Sequence, residues 1–170
     1  MSFVHRAPRR LALAFATVLI LSSAAHAQAP DVRVITTYEE TVKLGGGAEA
    51  VRNVEISYDY VANQTIQTVR DASGVIIETS LLGRAPQPNE EEIAEAIDLV
   101  YADDELGPIA SRQGNVVEGG FLLYEGDCEQ ARCIQLHIGS IDGSRTDRFV
   151  VVDLSSSVIV HRNLFPDLLD

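Results

Sequence analysis

Basic residues are scarce in this chain. Lys and Arg number 13 against 25 Asp and Glu over 170 residues, and lysine occurs once, at Lys43. The deficit deepens after residue 27. Arg6, Arg9 and Arg10 precede that point and no acid does, which leaves ten bases against all 25 acids and a formal net charge of −15. A nucleic-acid binder draws much of its affinity from Lys and Arg on phosphates, and an anionic membrane surface attracts the same residues. The charge balance argues against both partners. Histidine is nearly as rare: beyond residue 27 only His137 and His161 remain. Two cysteines, Cys128 and Cys133, are too few for a four-cysteine zinc site and their spacing is not Cys-x-x-Cys. No apolar run long enough to span a bilayer follows residue 27.

The opening segment is of a different kind. Arg6, Arg9 and Arg10 form a basic start, Leu11 to Ala25 is almost wholly apolar, and Ala25-His26-Ala27 supplies small residues for a signal peptidase. This predicts a cleaved export signal over 1–27, with Gln28 as the mature start after Ala27. Arg9-Arg10 leaves the twin-arginine route open beside the general one. The destination is the periplasm or the cell exterior. In such an oxidising compartment Cys128 and Cys133 read as a disulfide closing a hairpin loop, with two free thiols or a metal or redox use as the alternatives.

Residues 28–170 then make one domain. Val32 to Leu44 reads as a half-buried strand, with Val32, Val34, Tyr38, Val42 and Leu44 on one parity. Val54, Ile56, Tyr58 and Tyr60 alternate with polar residues in the clearest strand of the chain. Thr65 to Arg70 and Val75 to Leu82 follow, separated by the turn Asp71-Ala72-Ser73-Gly74. Gly83 to Pro88 is a linker. Asn89 is the predicted cap of a helix whose first turn holds Glu90, Glu91 and Glu92, with Glu92 at the capping-box position. Ile93, Ala96, Ile97, Val100 and Tyr101 lie on one stripe of that helix, which should stop near Ala102, with Gly107-Pro108 as a break. Further strands are expected over Val116 to Glu125, with Gly119-Gly120 as a bulge, over Ile134 to Ile138, over Phe149 to Leu154 and over Val158 to His161. Asp71 to Ile77 and Asp153 to Val160 look like two copies of one hairpin, the second with one extra residue. The expectation is an α+β fold: one antiparallel sheet of about seven to eight strands with one main helix on a face, divided into a strand half over 28–84 and a helix-plus-strands half over 89–170.

The run Arg52 to Tyr60, the strand Thr65 to Arg70, the turn Asp71 to Val75, and the linker and acid-capped helix over Gly83 to Val100 resemble the non-catalytic N-terminal domains of copper amine oxidases. Arg148 to Leu154 with Val158 to Val160 is similar to their closing hairpin. More loosely, the helix-then-strands half resembles cystatin-like peptidase-propeptide domains. The resemblance implies no catalytic residue. The copper of the parent enzymes needs three histidines, and their cofactor tyrosine sits in a motif that Ser57-Tyr58-Asp59-Tyr60 lacks.

Other chemistries fare little better. Gly45-Gly46-Gly47-Ala48-Glu49-Ala50 fits a dinucleotide fingerprint only formally, because a strand and not a helix follows. Gly139-Ser140-Ile141-Asp142-Gly143 is no nucleophile elbow. His137 has the parity opposite to Leu136 and Ile138, which makes it a surface residue. No catalytic, metal or cofactor residue is predicted. The reading is a secreted, disulfide-stapled, non-catalytic module for a protein partner with a basic surface. A peptidase inhibitor or propeptide-like regulator, and a small hydrolase with dispersed residues, are the alternatives.

Overall fold

The structure is a computed structural model that describes residues 31–123, 128–129 and 131–165. The expected export signal, with its cleavage between Ala27 and Gln28, lies outside the described residues. Within them, no helix is long and apolar enough to cross a membrane.

The described residues form eight strands: β1 (Val32–Lys43), β2 (Glu49–Asp59), β3 (Gln64–Asp71), β4 (Ile76–Leu82), β5 (Asn115–Leu123), β6 (Cys133–Ser140), β7 (Thr146–Asp153) and β8 (Val158–His161). Between β4 and β5 lie helix α1 (Glu90–Ala102) and a single short helix, α2 (Leu106–Ala110). The expected single α+β sheet of seven to eight strands does not form. The protein is mostly β, with two separate antiparallel sheets ordered β1-β2-β3-β4 and β5-β6-β7-β8. The cause is the connection in the middle. After Leu82 the chain leaves the first sheet through Pro86 and Pro88, runs through both helices and only then starts β5. Each half therefore closes its own meander of neighbouring hairpins, and β4 and β5 end as free edges of different sheets.

Helix α1 begins as its residues dictate. The Asn89 side chain accepts a hydrogen bond from the Glu92 N–H at 2.9 Å, and Glu92 Oε2 accepts one from the Asn89 N–H at 3.0 Å. This reciprocal pair is a capping box. The helix ends at Ala102, where the Asp103 carboxylate accepts from the Leu106 N–H and leads into α2. Pro108 does not break the chain there. It sits in the first turn of α2, where a missing N–H costs nothing.

The main core lies between α1, α2 and the second sheet. Ala96, Val100, Leu106 and Ala110 meet Val117, Ile134, Leu136, Ile138, Val150, Val152 and Leu154. Ile35 and Tyr58 of the first sheet, and Tyr60 just after β2, join the same cluster. On the far face of the second sheet, Cys128, Cys133 and Val151 form a small second cluster. The two cysteines are joined as a disulfide with Cα atoms 5.6 Å apart, between β5 and β6.

The first sheet is thinly covered. Of the strand expected to bury Val32, Val34, Tyr38 and Leu44, all four are exposed, and the buried residue is Ile35. A bulge between Val34 and Thr36 changes the side-chain parity at that point and turns Ile35 to the core. The two hairpins that look alike in sequence open their turns in the same way, with an aspartate accepting from a serine N–H two residues on. Asp71 accepts from the Ser73 N–H at 2.9 Å, and Asp153 accepts from the Ser155 N–H at 2.8 Å. Gly74 before β4 and Ser157, one position later in its turn, before β8 each take the left-handed conformation, at φ 87° and 54°.

Candidate functional site

The two sheets meet at a buried polar joint. It starts from Glu92 on α1. This residue is fully buried and Arg132, which precedes β6, is 1% exposed. Arg132 grips the carboxylate with two prongs: Nε donates to Oε1 at 2.7 Å and Nη2 donates to Oε2 at 2.8 Å. Its third nitrogen, Nη1, donates to the Pro86 carbonyl at 2.8 Å. The Tyr60 hydroxyl donates to Glu92 Oε1 at 2.6 Å. Counting the Asn89 N–H, each carboxylate oxygen accepts two hydrogen bonds, so the buried charge is fully partnered.

Aromatic rings complete the joint. The Arg132 guanidinium lies 4.8 Å from the centre of the Tyr58 ring, and Tyr58 and Tyr60 pack edge to face at 5.2 Å. Arg33 lies 5.6 Å from the Tyr60 ring and pairs with Glu95 at 2.6 Å. Asn89 also donates from Nδ2 to the Val34 carbonyl at 3.2 Å. One helix is thereby tied to β1, β2, the linker and the disulfide loop.

Burial pushes the Glu92 carboxyl up. The hydrogen bonds from Arg132 and Tyr60 and the Arg132 charge outweigh it, and Glu92 is held below the ordinary carboxylate range. Tyr60 shifts the other way. Burial, and then its hydrogen bond to the Glu92 anion, raise its hydroxyl well above the usual phenol range. Neither group is poised to give or take a proton near neutrality.

Above this joint opens a cleft of about 360 Å³ between the sheets. Its walls are mainly apolar, with the Tyr58 ring, Leu82, Ala85 and Leu122 on its sides and Arg132 among its lining residues. Arg84 and Glu129, both exposed, and Asn63 supply polar groups. A larger depression of about 600 Å³ near Leu44, Val51 and Ile77 is shallower and more open.

The residues singled out in the sequence fall as follows. Cys128 and Cys133 pair, directly beside Arg132. His137 points away from the Leu136 face and contacts the exposed Glu118, with Nε2 and Oε1 3.1 Å apart. His161 lies on β8, separated from His137 on β6 by the intervening β7. Among the described residues no three His, Cys, Asp or Glu side chains gather to hold a metal. Gly45–Gly47 form a single tight 3₁₀ turn between β1 and β2.

The joint itself was missed by sequence reasoning. The sequence pattern gives Glu92 as a capping acid and Tyr60 as an alternating strand residue, and Arg132 falls within the loop between the two cysteines. One signal was available: Glu92 lies four and eight residues before Ala96 and Val100, on the stripe that faces the core. An acid on a buried stripe requires a buried cation. Nothing in the sequence named Arg132 as that cation. Comparison with family models and with curated proteins returns no match to this chain.

Proposed function

We propose that this chain is a secreted, non-catalytic module that binds a protein partner through the cleft at the junction of its two sheets. The observation that carries this reading is a preformed apolar cleft set on a joint whose charges are already spent on each other. Arg132 and Glu92 satisfy one another, so they hold the walls in place and leave no free acid, base or nucleophile of their own for chemistry. Rigid walls lower the ordering cost of binding. The mixture of Tyr, Leu and a few polar groups suits a side chain or short segment of a protein.

The acid excess points to a basic surface on that partner, which long-range attraction would bring in at a salt-dependent rate. Among the described residues, Glu129 is an acid placed at the cleft itself. The peptidase-inhibitor alternative came from a single-sheet cystatin-like layout, and with two separate sheets that layout no longer supports it.

The test is retention on the immobilised chain from an extract of co-secreted proteins. A partner should be held at low salt and released as salt rises. Glu129→Arg, at an exposed position, should lower retention without changing the folded spectrum. No retained protein at low salt would overturn the reading. Turnover of an ester, peptide or glycoside substrate by the purified chain would replace it with a hydrolase.

A further inference from the structure

Among the described residues the two sheets have four edges with no neighbouring strand, and three of them are guarded. β1 carries Arg33, Glu39, Glu40 and Lys43, charges that oppose pairing with another strand. β5 is interrupted by the bulge at Gly119-Gly120. β8 has four residues. β4 differs. Its sequence, Ile-Ile-Glu-Thr-Ser-Leu-Leu, holds one charge and neither lysine nor proline, and six of its seven residues are exposed. Ile76, Ile77 and Leu81 are 51%, 47% and 63% exposed. A bulge at Ile77 ends the straight part of the edge on one side, which leaves the stretch from Glu78 to Leu82 open.

We propose that β4 pairs antiparallel with β4 of a second copy of this chain, across a two-fold axis at Thr79, to give one continuous eight-stranded sheet. The pattern of the strand selects this occupant. Two-fold pairing centred on Thr79 sets Glu78 opposite Ser80 and brings Leu81 to the bulged Ile77 of the other copy, so apolar meets apolar and the acid never faces its own copy. The local charge permits the approach. Residues 70–84 contain Arg70, Arg84, Asp71 and Glu78, which cancel, within a chain of net charge −12. The two Glu78 side chains are diagonal neighbours on one face. Their repulsion and that of the whole acidic chains are screened by salt, so added salt strengthens this contact. The cleft partner proposed above behaves oppositely, which separates the two ideas. A ladder this short covers less than a standard interface, and the dissociation constant belongs at about micromolar or weaker.

The experiment is sedimentation of the purified chain over a wide concentration range at low and high salt. The mass should double with concentration, and at lower concentration when salt is high. Thr79→Lys sets two ammonium groups side by side on the axis and should hold the chain monomeric. Thr79→Glu should do the same. Thr79 is exposed, so both variants should keep the native circular dichroism spectrum. An equal mixture of the two should associate, because lysine then faces glutamate. A wild-type chain that stays monomeric throughout overturns the proposal, as does a Thr79→Lys variant that dimerises like the wild type. A mixture that stays monomeric while the wild type pairs also overturns it, by placing the contact elsewhere. If the wild type stays monomeric but still retains its basic partner, the dimer falls and the cleft reading stands.

Discussion

Arg132 and Glu92 are each tolerable in the interior only because of the other. Moving a single charge out of water costs several kcal/mol, and a two-pronged pair with its remaining lone pairs filled recovers most of that. Removing one partner leaves the other buried and unpaired. Arg132→Met should therefore lower the unfolding free energy by about 3–5 kcal/mol, read from urea denaturation.

The same pair sets a pH dependence. Glu92 is held below its ordinary range in the folded chain. Its stabilising contribution is complete above the unfolded carboxylate range and is lost as pH falls through the folded value. Urea midpoints measured from neutral pH downward should fall, and Glu92→Gln should flatten that fall. A slope unchanged by Glu92→Gln would mean that other carboxylates carry the acid sensitivity. At this scale the sequence was only partly readable. A capping acid is recognised by its distance from Asn89, but its partner lies 40 residues away, and no local pattern encodes that contact.

Helix and hairpin ends were far more legible, because caps and turns are made by residues close in sequence. Asn89→Ala should cost about 1–2 kcal/mol, at the upper part of that range since it also removes the tie to the Val34 carbonyl. The second hairpin holds Ser157 in the left-handed region that Gly74 occupies in the first. Ser157→Gly should stabilise the chain by up to about 1 kcal/mol. A loss of stability instead would show that the Ser157 side chain supplies more than the backbone strain takes away. Reduction of Cys128–Cys133 releases a small loop and should cost about 2 kcal/mol, measured by urea denaturation with and without reductant. Burial within elements was less legible. Alternation placed β1 correctly but assigned Val32, Val34 and Tyr38 to one buried face; a one-residue bulge at Ile35, which leaves no mark in the sequence, sets Val32 and Val34 on the opposite face from Tyr38, and all three are exposed on the thinly covered first sheet.

Across the whole molecule, the division into two sheets was the least visible feature. Alternating residues define a strand, but they do not say which edges meet. The linker with Pro86 and Pro88 looks like a boundary within one sheet, whereas it ends one sheet and leads to another. This division gives the protein its asymmetry. The second sheet buries its core beneath α1, and the first leaves apolar residues facing solvent. The buried joint is then what holds the halves in one relation and gives the cleft its walls.

If the buried charges serve structure alone, they are replaceable as a set. Urea denaturation of the triple variant Glu92→Leu, Arg132→Met and Tyr60→Phe, beside Arg132→Met alone, tests this most directly. The account predicts that the triple variant recovers most of the stability lost by the single one, because no charge is left unpaired, and that it still retains the partner. A triple variant as unstable as Arg132→Met, or one that is stable and folded yet no longer retains the partner, would contradict it.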